Sequence, residues 1–161
     1  MSDRIYGLKP FINQDSKILI LGSMPSVASI NDGFYYAHPH NRMWKIIAYL
    51  AKSDCLNTIE ERKLAALKLK LAFFDVIKSC ERIGSMDSNI KNVEPNDIAL
   101  LLKYYPSINR IITNGNKAKQ LFLTYNHNLS VDVVHLPSTS PANAQYSLQK
   151  LEMLYIPYLS L

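Results

Sequence analysis

Cysteine is scarce in this chain, and the two residues present exclude several classes of protein. Cys55 and Cys80 are too few for a disulfide framework or a four-cysteine iron–sulfur cluster, and their wide spacing is not that of a zinc site. Long hydrophobic runs are also missing, since no apolar stretch approaches the ~20 residues of a membrane span. The first residues, MSDRIYGLKPF, lack the apolar segment of a signal peptide. We therefore expect a soluble, cytoplasmic protein with no membrane partner.

Charge of one sign is not concentrated anywhere in the sequence. Lys and Arg total 18 against 13 Asp and Glu, which gives a net charge of +5 and a pI near 9.1 without a dense basic run. This mild excess is compatible with a polyanionic partner and equally with an ordinary basic protein. With 161 residues, of which 48% are hydrophobic and 19% charged, the chain is expected to fold as a single domain over residues 1–161.

Several nucleotide, metal and nucleophile motifs are absent. The glycine-containing stretch GSMPSVAS is followed by no Gly-Lys-Ser/Thr and has no GxGxxG spacing. The sequence therefore does not indicate a nucleotide cofactor. No GxSxG elbow or reactive-cysteine signature occurs. His38, His40 and His135 have no carboxylate or fourth ligand at a diagnostic spacing. We expect neither a metal nor a cofactor.

The hydrophobic pattern predicts strands that alternate with helices. Four short apolar runs end in Gly, Pro or polar residues, as buried parallel strands do, at 17–23, 71–77, 110–115 and 131–137. Helical spacing and capping signals lie between them, after Asn41, from Thr58 to Lys70, from Ile98 to Tyr105, from Ala118 to Tyr125 and from Asn143 to Tyr155. Such alternation predicts an α/β fold with a parallel sheet covered on both faces.

Ligands of parallel α/β sheets bind beyond the carboxyl ends of the strands, so the residues after each strand are the informative ones. Here these segments are GSMPS, DVIKSCERIGS, TNGN and LPSTSPAN. The first and last are rich in small hydroxyls beside predicted helix starts, which suits them to bind phosphates. The alternative is that both are tight turns.

The stretch FYYAHPHNRMW, positions 34–44, is rich in aromatic side chains, whose flat rings could stack on a ligand. Phe34, Tyr35 and Tyr36 follow a glycine in a predicted loop, which indicates a planar ligand, although at least one of them is expected in the core. Asn41 directly precedes a predicted helix, so an N-cap is the simplest role for it.

Together, GSMPS, GFYYAHPHNRMW, FDVIKSCERIGSMDSNI and LPSTSPAN resemble the uracil-DNA glycosylase superfamily, and most closely its hypoxanthine (deoxyinosine) branch. The resemblance covers residues from about 17 to 143. It implies a three-layer αβα fold with a four-stranded parallel central sheet. It also implies a monofunctional glycosylase, without a cofactor, that binds DNA, turns a deaminated base out of it and hydrolyses the glycosidic bond.

The resemblance also implies roles around the base. Tyr36 is expected as the stacking platform, with Phe34 and Tyr35 as its neighbours or as core. Met24 stands where mismatch-specific relatives have a catalytic Asn, a departure shared with the hypoxanthine branch. Asn41 is then the candidate to position water through its amide.

Further roles follow for the strand ends. Backbone amides at Ser23 and Met24 are expected to polarise the leaving purine. Asp75 could accept the N1 hydrogen of hypoxanthine, or could cap the next turn. The implied DNA contacts include a wedge and phosphate-binding hydroxyls; they are Ser26, Ser138, Thr139, Ser140 and Pro141. Leu136 occupies the position of a histidine found in many relatives, and His135 is expected to be structural because it points to the other face.

Three other functions stay open. The first is excision of uracil or mispaired thymine, the second is lesion binding without cleavage, and the third is hydrolysis of free nucleosides. No lysine is evidently placed to form a Schiff base, so hydrolysis without strand cleavage is expected. A monomer is the default oligomeric state.

Overall fold

The computed structural model describes residues 3–160 and confirms the predicted strands of the central sheet. These are β2 (Ile18–Gly22), β3 (Leu71–Asp75), β6 (Arg110–Asn114) and β7 (Asp132–Leu136). Within these residues the α-helices are α1 (Val27–Asp32), α2 (Met43–Leu50), α3 (Ile59–Lys68), α4 (Ile98–Tyr104), α5 (Asn116–Tyr125) and α6 (Leu148–Tyr155). Across this part of the chain, no helix has the length and hydropathy to cross a bilayer.

The four strands form one parallel sheet in the order β3-β2-β6-β7. The register pairs Gly22 with Asp75 and Asn114 with Leu136, so these residues end their strands at the same edge. They also point to the same face of the sheet, because side chains alternate along a strand. Gly22, Asp75, Asn114 and Leu136 therefore form a row along the carboxyl edge.

Each face of the sheet has its own hydrophobic core. Ile18, Ile20 and Phe73 point into the core that contains residues of α2, α3 and α6. Leu19 and Leu21 point into the other, which contains residues of α4 and α5. Strand β2 is buried along its whole length, which explains its uninterrupted apolar sequence. The layers are those of a three-layer αβα fold, which the family resemblance implies.

A second sheet was not predicted. Strands β1 (Arg4–Tyr6), β4 (Ile77–Glu81) and β5 (Lys91–Pro95) pair antiparallel in the order β1-β4-β5. The single strand predicted at 71–77 is wrong at its end, because only Val76 separates β3 from β4 and Ile77 belongs to β4. Strand β5, KNVEP, is too polar to give a strand signal.

Two predicted helix starts need correction. Helix α6 begins at Leu148 rather than near Asn143, because Ser147 is its N-cap and accepts a hydrogen bond from Lys150 N. Asn41 is not the N-cap of α2, which is Arg42. The Thr58 cap of α3 is confirmed by its hydrogen bond from the backbone N–H of Glu61.

Candidate active site

A cleft of about 830 Å³ lies along the carboxyl edge of the parallel sheet. Its floor is formed by the strand ends Gly22, Asp75, Asn114 and Leu136. Its walls are the loop after β2, the aromatic loop before α2, the loop between β4 and β5, the start of α5 and the loop after β7. These include the loops that sequence analysis selected, so the fold brings the predicted segments together.

Tyr36 occupies a strained position beside the floor. Its φ of 53° lies in the left-handed region, which bulky residues rarely adopt. Trp44 Nε1 stabilises this turn by donating to the carbonyl oxygens of Tyr35 and Tyr36, at 3.1 Å each, and Ser29 Oγ accepts from Ala37 N at 3.0 Å. Strain that the surroundings enforce is typical of functional sites.

Phe34 and Tyr35 differ in their relation to the cleft. The Phe34 ring stacks on Trp44, with centroids 5.7 Å apart, and lies in the core away from the cleft. Of the two predicted roles, a neighbour of the platform or a core residue, Phe34 has the second. Tyr35 borders the cleft, but its ring is 3% exposed and its hydroxyl donates to the carbonyl oxygen of Lys9 at 2.6 Å. Tyr36 also lines the cleft and is half-buried, and its role as the stacking platform stays a prediction.

Asp75 is a carboxyl buried at the cleft floor without a full set of partners. It is 4% exposed, and its Oδ2 makes no hydrogen bond within residues 3–160. The alternative role, a cap for the next turn, is not observed: the amides of Val76 and Ile77 donate to the carbonyl oxygens of Gly22 and Ser23 instead. Gly22 is needed here because a Cβ on it would lie 2.5 Å from Asp75 Oδ1.

Burial sets the protonation of Asp75. Loss of hydration raises the pKa of its carboxyl from 3.8 to about 7, against the opposing effect of Arg82, while Asp87 adds to the rise. Burial, followed by the charge of Asp75, raises the pKa of Tyr36, so that hydroxyl is a neutral donor. Near neutral pH, both the acid and the carboxylate of Asp75 are populated.

Three buried side-chain nitrogen or oxygen atoms in the described part of the chain have no hydrogen-bond partner: Tyr36 Oη and Asp75 Oδ2, whose residues line the cleft, and Arg82 Nη1. Arg82 is 5% exposed, and its other nitrogens donate to the carbonyl oxygens of Pro25 and Gly84 at 2.7 Å each. Buried polar atoms are normally paired, so a cluster of unpaired ones indicates a place for a polar ligand or water.

Asn41 belongs to a hydrogen-bonded network on the other side of the floor. Its Oδ1 accepts from Met43 N at 3.0 Å and from Thr139 Oγ1 at 2.9 Å. Asn114 then bonds Thr139 twice, through Nδ2 to Oγ1 and from Oδ1 to the Thr139 N–H. Because both lone pairs of Asn41 Oδ1 are occupied, this oxygen is not available to water. The Nδ2 group makes no hydrogen bond within residues 3–160 and remains available as a donor.

The network changes the role of the loop after β7. Thr139 is 0% exposed, so its predicted DNA contact is corrected to a link between Asn41 and Asn114. Ser140 N and Ala142 N donate to Ser138 Oγ and Ser140 Oγ, so both hydroxyls also shape the loop. Pro141 is exposed at the cleft and stays a predicted wedge.

Arg42 anchors the same loop from the start of α2. Its guanidinium donates to the carbonyl oxygens of Thr139, Ser140, Asn143 and Tyr146. These bonds explain why the segment after β7 stays a loop until Ser147. Sequence analysis missed this role because a basic residue near a helix start gives no sign of distant carbonyl partners.

The loop after β2 also uses its side chains internally. Ser23 Oγ donates to Asp87 Oδ1 at 2.8 Å, and Ser26 Oγ accepts from Ser29 N at the start of α1. Met24 is 7% exposed and lines the cleft. The roles of the Ser23 and Met24 amides at the base, and of Ser26 at DNA, stay predictions.

Lys117 and Lys119 line the cleft on α5, which sequence analysis did not anticipate. They provide positive charge on the wall that begins with Gly115 and Asn116. Within residues 3–160, no group of three or more His, Cys, Asp or Glu side chains could hold a metal ion. The distance between Thr113 Oγ1 and His135 Nδ1 is 2.6 Å, which is a hydrogen bond.

The chain matches one protein family and is similar to two named proteins. The Uracil DNA glycosylase superfamily profile matches residues 9–159. A Methanosarcina acetivorans protein named hypoxanthine DNA glycosylase is 33% identical over 142 residues, which cover 88% of this chain and 89% of that protein. A Methanosarcina barkeri protein of the same name is 34% identical over 113 residues, covering 70% of this chain and 72% of that protein.

A solved structure has the same fold. It is a solution NMR structure of a candidate uracil DNA glycosylase from Methanosarcina acetivorans, with a TM-score of 0.83 and 28% identity. The similarity covers 98% of this chain and 97% of the other.

Proposed function

The chain belongs to the uracil DNA glycosylase superfamily, and from that premise we propose that it is a DNA glycosylase that releases hypoxanthine. The observation that carries the proposal is the buried Asp75 carboxyl, whose Oδ2 lacks a partner at the floor of the cleft. The names of the two Methanosarcina relatives support the same substrate. The remaining roles are assigned by what each side chain can still donate or accept.

The edge of hypoxanthine complements the unpaired atoms. Its N1–H can donate to the carboxylate of Asp75, and its neighbouring O6 can accept from the Tyr36 hydroxyl. Adenine has no hydrogen on N1, so the carboxylate would face a lone pair there. A buried acceptor left unpaired in this way costs roughly 1–3 kcal/mol, which discriminates against the normal base.

Asn41 positions the attacking water in this mechanism. Departure of the base leaves an oxocarbenium-like sugar, which is electrophilic enough that water needs placing more than deprotonation. Asn41 Nδ2 can donate to one lone pair of that water and leave the other directed at C1′. The hydrogen bonds from Met43 and Thr139 to Oδ1 hold the amide in this orientation.

DNA is bound through two kinds of contact. Lys117 and Lys119 supply charge for the phosphates, and the exposed Pro141 tip of the loop after β7 approaches the bases. We include in the proposal a single glycosylase domain over residues 1–161, a monomer, and a cytoplasmic location.

Hydrolysis without strand cleavage is also part of the proposal. Lys117 and Lys119 lie on helix α5, whereas Asp75 and Asn41 lie at or beside the strand ends. No covalent complex should form when the reaction with hypoxanthine DNA is treated with borohydride, which reduces Schiff bases. A borohydride-trapped complex would instead show that an amine of the enzyme forms a Schiff base with the sugar.

Base release from synthetic duplexes tests the proposal. Matched duplexes carrying one hypoxanthine, one uracil or one mispaired thymine are incubated at low salt, and alkali then cuts abasic sites. Hypoxanthine should be released fastest by the wild type, at an unchanged rate by Asp54→Ala and barely by Asp75→Ala. Asp54 is exposed and outside the cleft, so it controls for the loss of an aspartate.

Uracil release is the second candidate, because uracil presents the same pattern of N–H beside C=O as hypoxanthine. Faster release of uracil than of hypoxanthine would replace the proposed substrate. Tight binding without release of any base would indicate a lesion-binding protein, and release from free inosine would indicate a nucleoside hydrolase.

A further inference from the structure

The segment Arg82–Ile90 forms a wall of the cleft that no role assigned above requires. It connects β4 to β5 and is attached to the loop after β2, whereas the start of α5 and the Pro141 loop follow β6 and β7. The two walls therefore belong to different ends of the strand order β3-β2-β6-β7. DNA in the cleft would meet both.

Hydrogen bonds hold this segment in one position. Ser85 Oγ accepts from Val27 N at 2.9 Å, and Asp87 Oδ1 accepts from Ser23 Oγ at 2.8 Å. Within the segment, Asn89 Nδ2 donates to the carbonyl oxygen of Ile83 at 3.0 Å. A segment bonded both to itself and to the neighbouring loop can hold a side chain in a fixed place at the mouth of the cleft.

Two large apolar side chains are exposed on this segment, and they differ in position. Met86 is 56% exposed and lines the cleft. Ile83 is 74% exposed but lies outside the cleft lining. A single exposed apolar residue is ordinary on a protein surface, so Ile83 needs no further explanation. Met86 differs because a long, flexible apolar side chain stands at the entrance to the candidate base site.

Charge separates the functions of the two walls. The lining residues of the Met86 wall are Ser85, Met86, Asp87 and Ser88, none of which is a cation. The α5 wall contributes Lys117 and Lys119. Phosphates should therefore lie along α5, where they are neutralised, and the bases should face the Met86 wall.

We propose that residues 85–88, the part of this segment that lines the cleft, are a second DNA-contacting element, and that Met86 enters the base stack beside the turned-out nucleotide. This inference rests on the proposed function, because it needs a base in the cleft. Apolar side chains, including methionine, serve as such wedges and compensate for lost stacking. Pro141 and Ala142, on the loop after β7, are the smaller apolar groups on the opposite side.

Three variants test the proposal in single-turnover release of hypoxanthine from duplex DNA. Met86→Ala should slow release about tenfold, since unstacking a base costs a few kcal/mol and the wedge offsets part of that. Met86→Leu keeps an apolar group and should retain the wild-type rate. Ile83→Ala removes an even more exposed apolar residue outside the cleft and should also retain the wild-type rate. Wild-type release by Met86→Ala, or equal slowing by Ile83→Ala, would overturn the proposal.

A fluorescence measurement separates this inference from the proposed function. 2-Aminopurine placed next to hypoxanthine in the duplex brightens when it is unstacked, whether or not a base is released. The wild type and Met86→Leu should raise the fluorescence on binding, and Met86→Ala should not. If no base is released but this dependence on Met86 holds, the wedge stands while the proposed activity fails. If hypoxanthine is released and all variants brighten the probe equally, the wedge is wrong and the activity stands.

Discussion

The two sides of the cleft floor treat buried polar atoms in opposite ways. Beside β6, the side chains of Asn114, Thr139 and Asn41 bond to one another and to the backbone. Beside β3, Tyr36 and Asp75, with the neighbouring Arg82, each keep a buried polar atom unpaired within residues 3–160.

The difference divides the site into two sets of residues. The scaffold residues are Asn41, Asn114 and Thr139. The reader residues, which can bond to a base, are Tyr36 and Asp75. A satisfied network rigidifies its members and orients the one group left free, here Asn41 Nδ2. An unpaired buried atom costs roughly 1–3 kcal/mol, and it is tolerated where a ligand supplies the missing partner. Loss of a scaffold residue should therefore reduce stability, whereas loss of a reader residue should reduce activity and leave stability unchanged or improved.

The largest expected effect is on the scaffold side. Asn41→Ala removes the donor to water and leaves Thr139 Oγ1 and Met43 N without their acceptor. Hypoxanthine release should fall more than about 100-fold, and the free energy of unfolding should fall by roughly 1–3 kcal/mol. Kinetics and urea unfolding measure the two quantities.

Thr139→Val is the matched control for that variant. It removes the hydroxyl that donates to Asn41 but keeps the amide at the site, so stability should fall by a similar amount and activity by less. Equal losses of activity in both variants would mean that Asn41 acts only through the network.

The pH dependence of release is the next largest effect. The pKa of Asp75 is about 7, so its carboxylate becomes populated as pH rises through that value. Since the carboxylate accepts the N1 hydrogen, single-turnover release should rise about tenfold from pH 6 to pH 8. Asp75→Asn should show no such rise, and a fall in wild-type rate over this range would mean that the protonated acid is the active form.

A smaller effect is expected for Arg82. Its positive charge lowers the pKa of Asp75, so Arg82→Met should move the midpoint of the pH–rate profile to higher pH. Arg110→Met, outside the cleft, should leave the midpoint in place. Identical profiles for wild type and Arg82→Met would show that the guanidinium does not act on the carboxyl.

The smallest effect is expected for the Tyr36 hydroxyl. Tyr36→Phe keeps the ring and removes the unpaired Oη, so stability should be unchanged or slightly higher. Release should slow by less than about tenfold, the loss of one hydrogen bond to O6. A marked loss of thermal stability would instead place Tyr36 with the scaffold.

Much of the fold could be predicted from the sequence because continuous apolar runs identify buried parallel strands. The four central strands carried this signal, whereas polar β5 did not. The helix start at Leu148 was misplaced because Arg42 bonds to carbonyl groups about 100 residues away in the chain, a contact without local signal.

The loops that form the site could be predicted from the sequence, but the different roles of the two sides of its floor could not. Asp75 and Asn41 were selected from motif positions. That Asn41 Oδ1 is occupied, that Thr139 is buried, and that Arg82 lies near Asp75 depend on contacts between distant loops. Asn114 could have been found from TNGN, a strand end already noted, since its side chain points to the same face as Asp75.

The most direct test measures the stability and the activity of Asp75→Asn together. Folding raises the pKa of this carboxyl from 3.8 to about 7, so the wild type loses stability as pH rises through this range. Asn cannot ionise, so at pH 8 the variant should be more stable by roughly 2–4 kcal/mol, with little difference near pH 4. Because the amide oxygen of Asn can accept the N1 hydrogen at every pH, hypoxanthine release by the same preparation should not rise between pH 6 and pH 8, whereas wild-type release should. A variant that is less stable than the wild type at pH 8 and whose release still rises over this range would contradict the account.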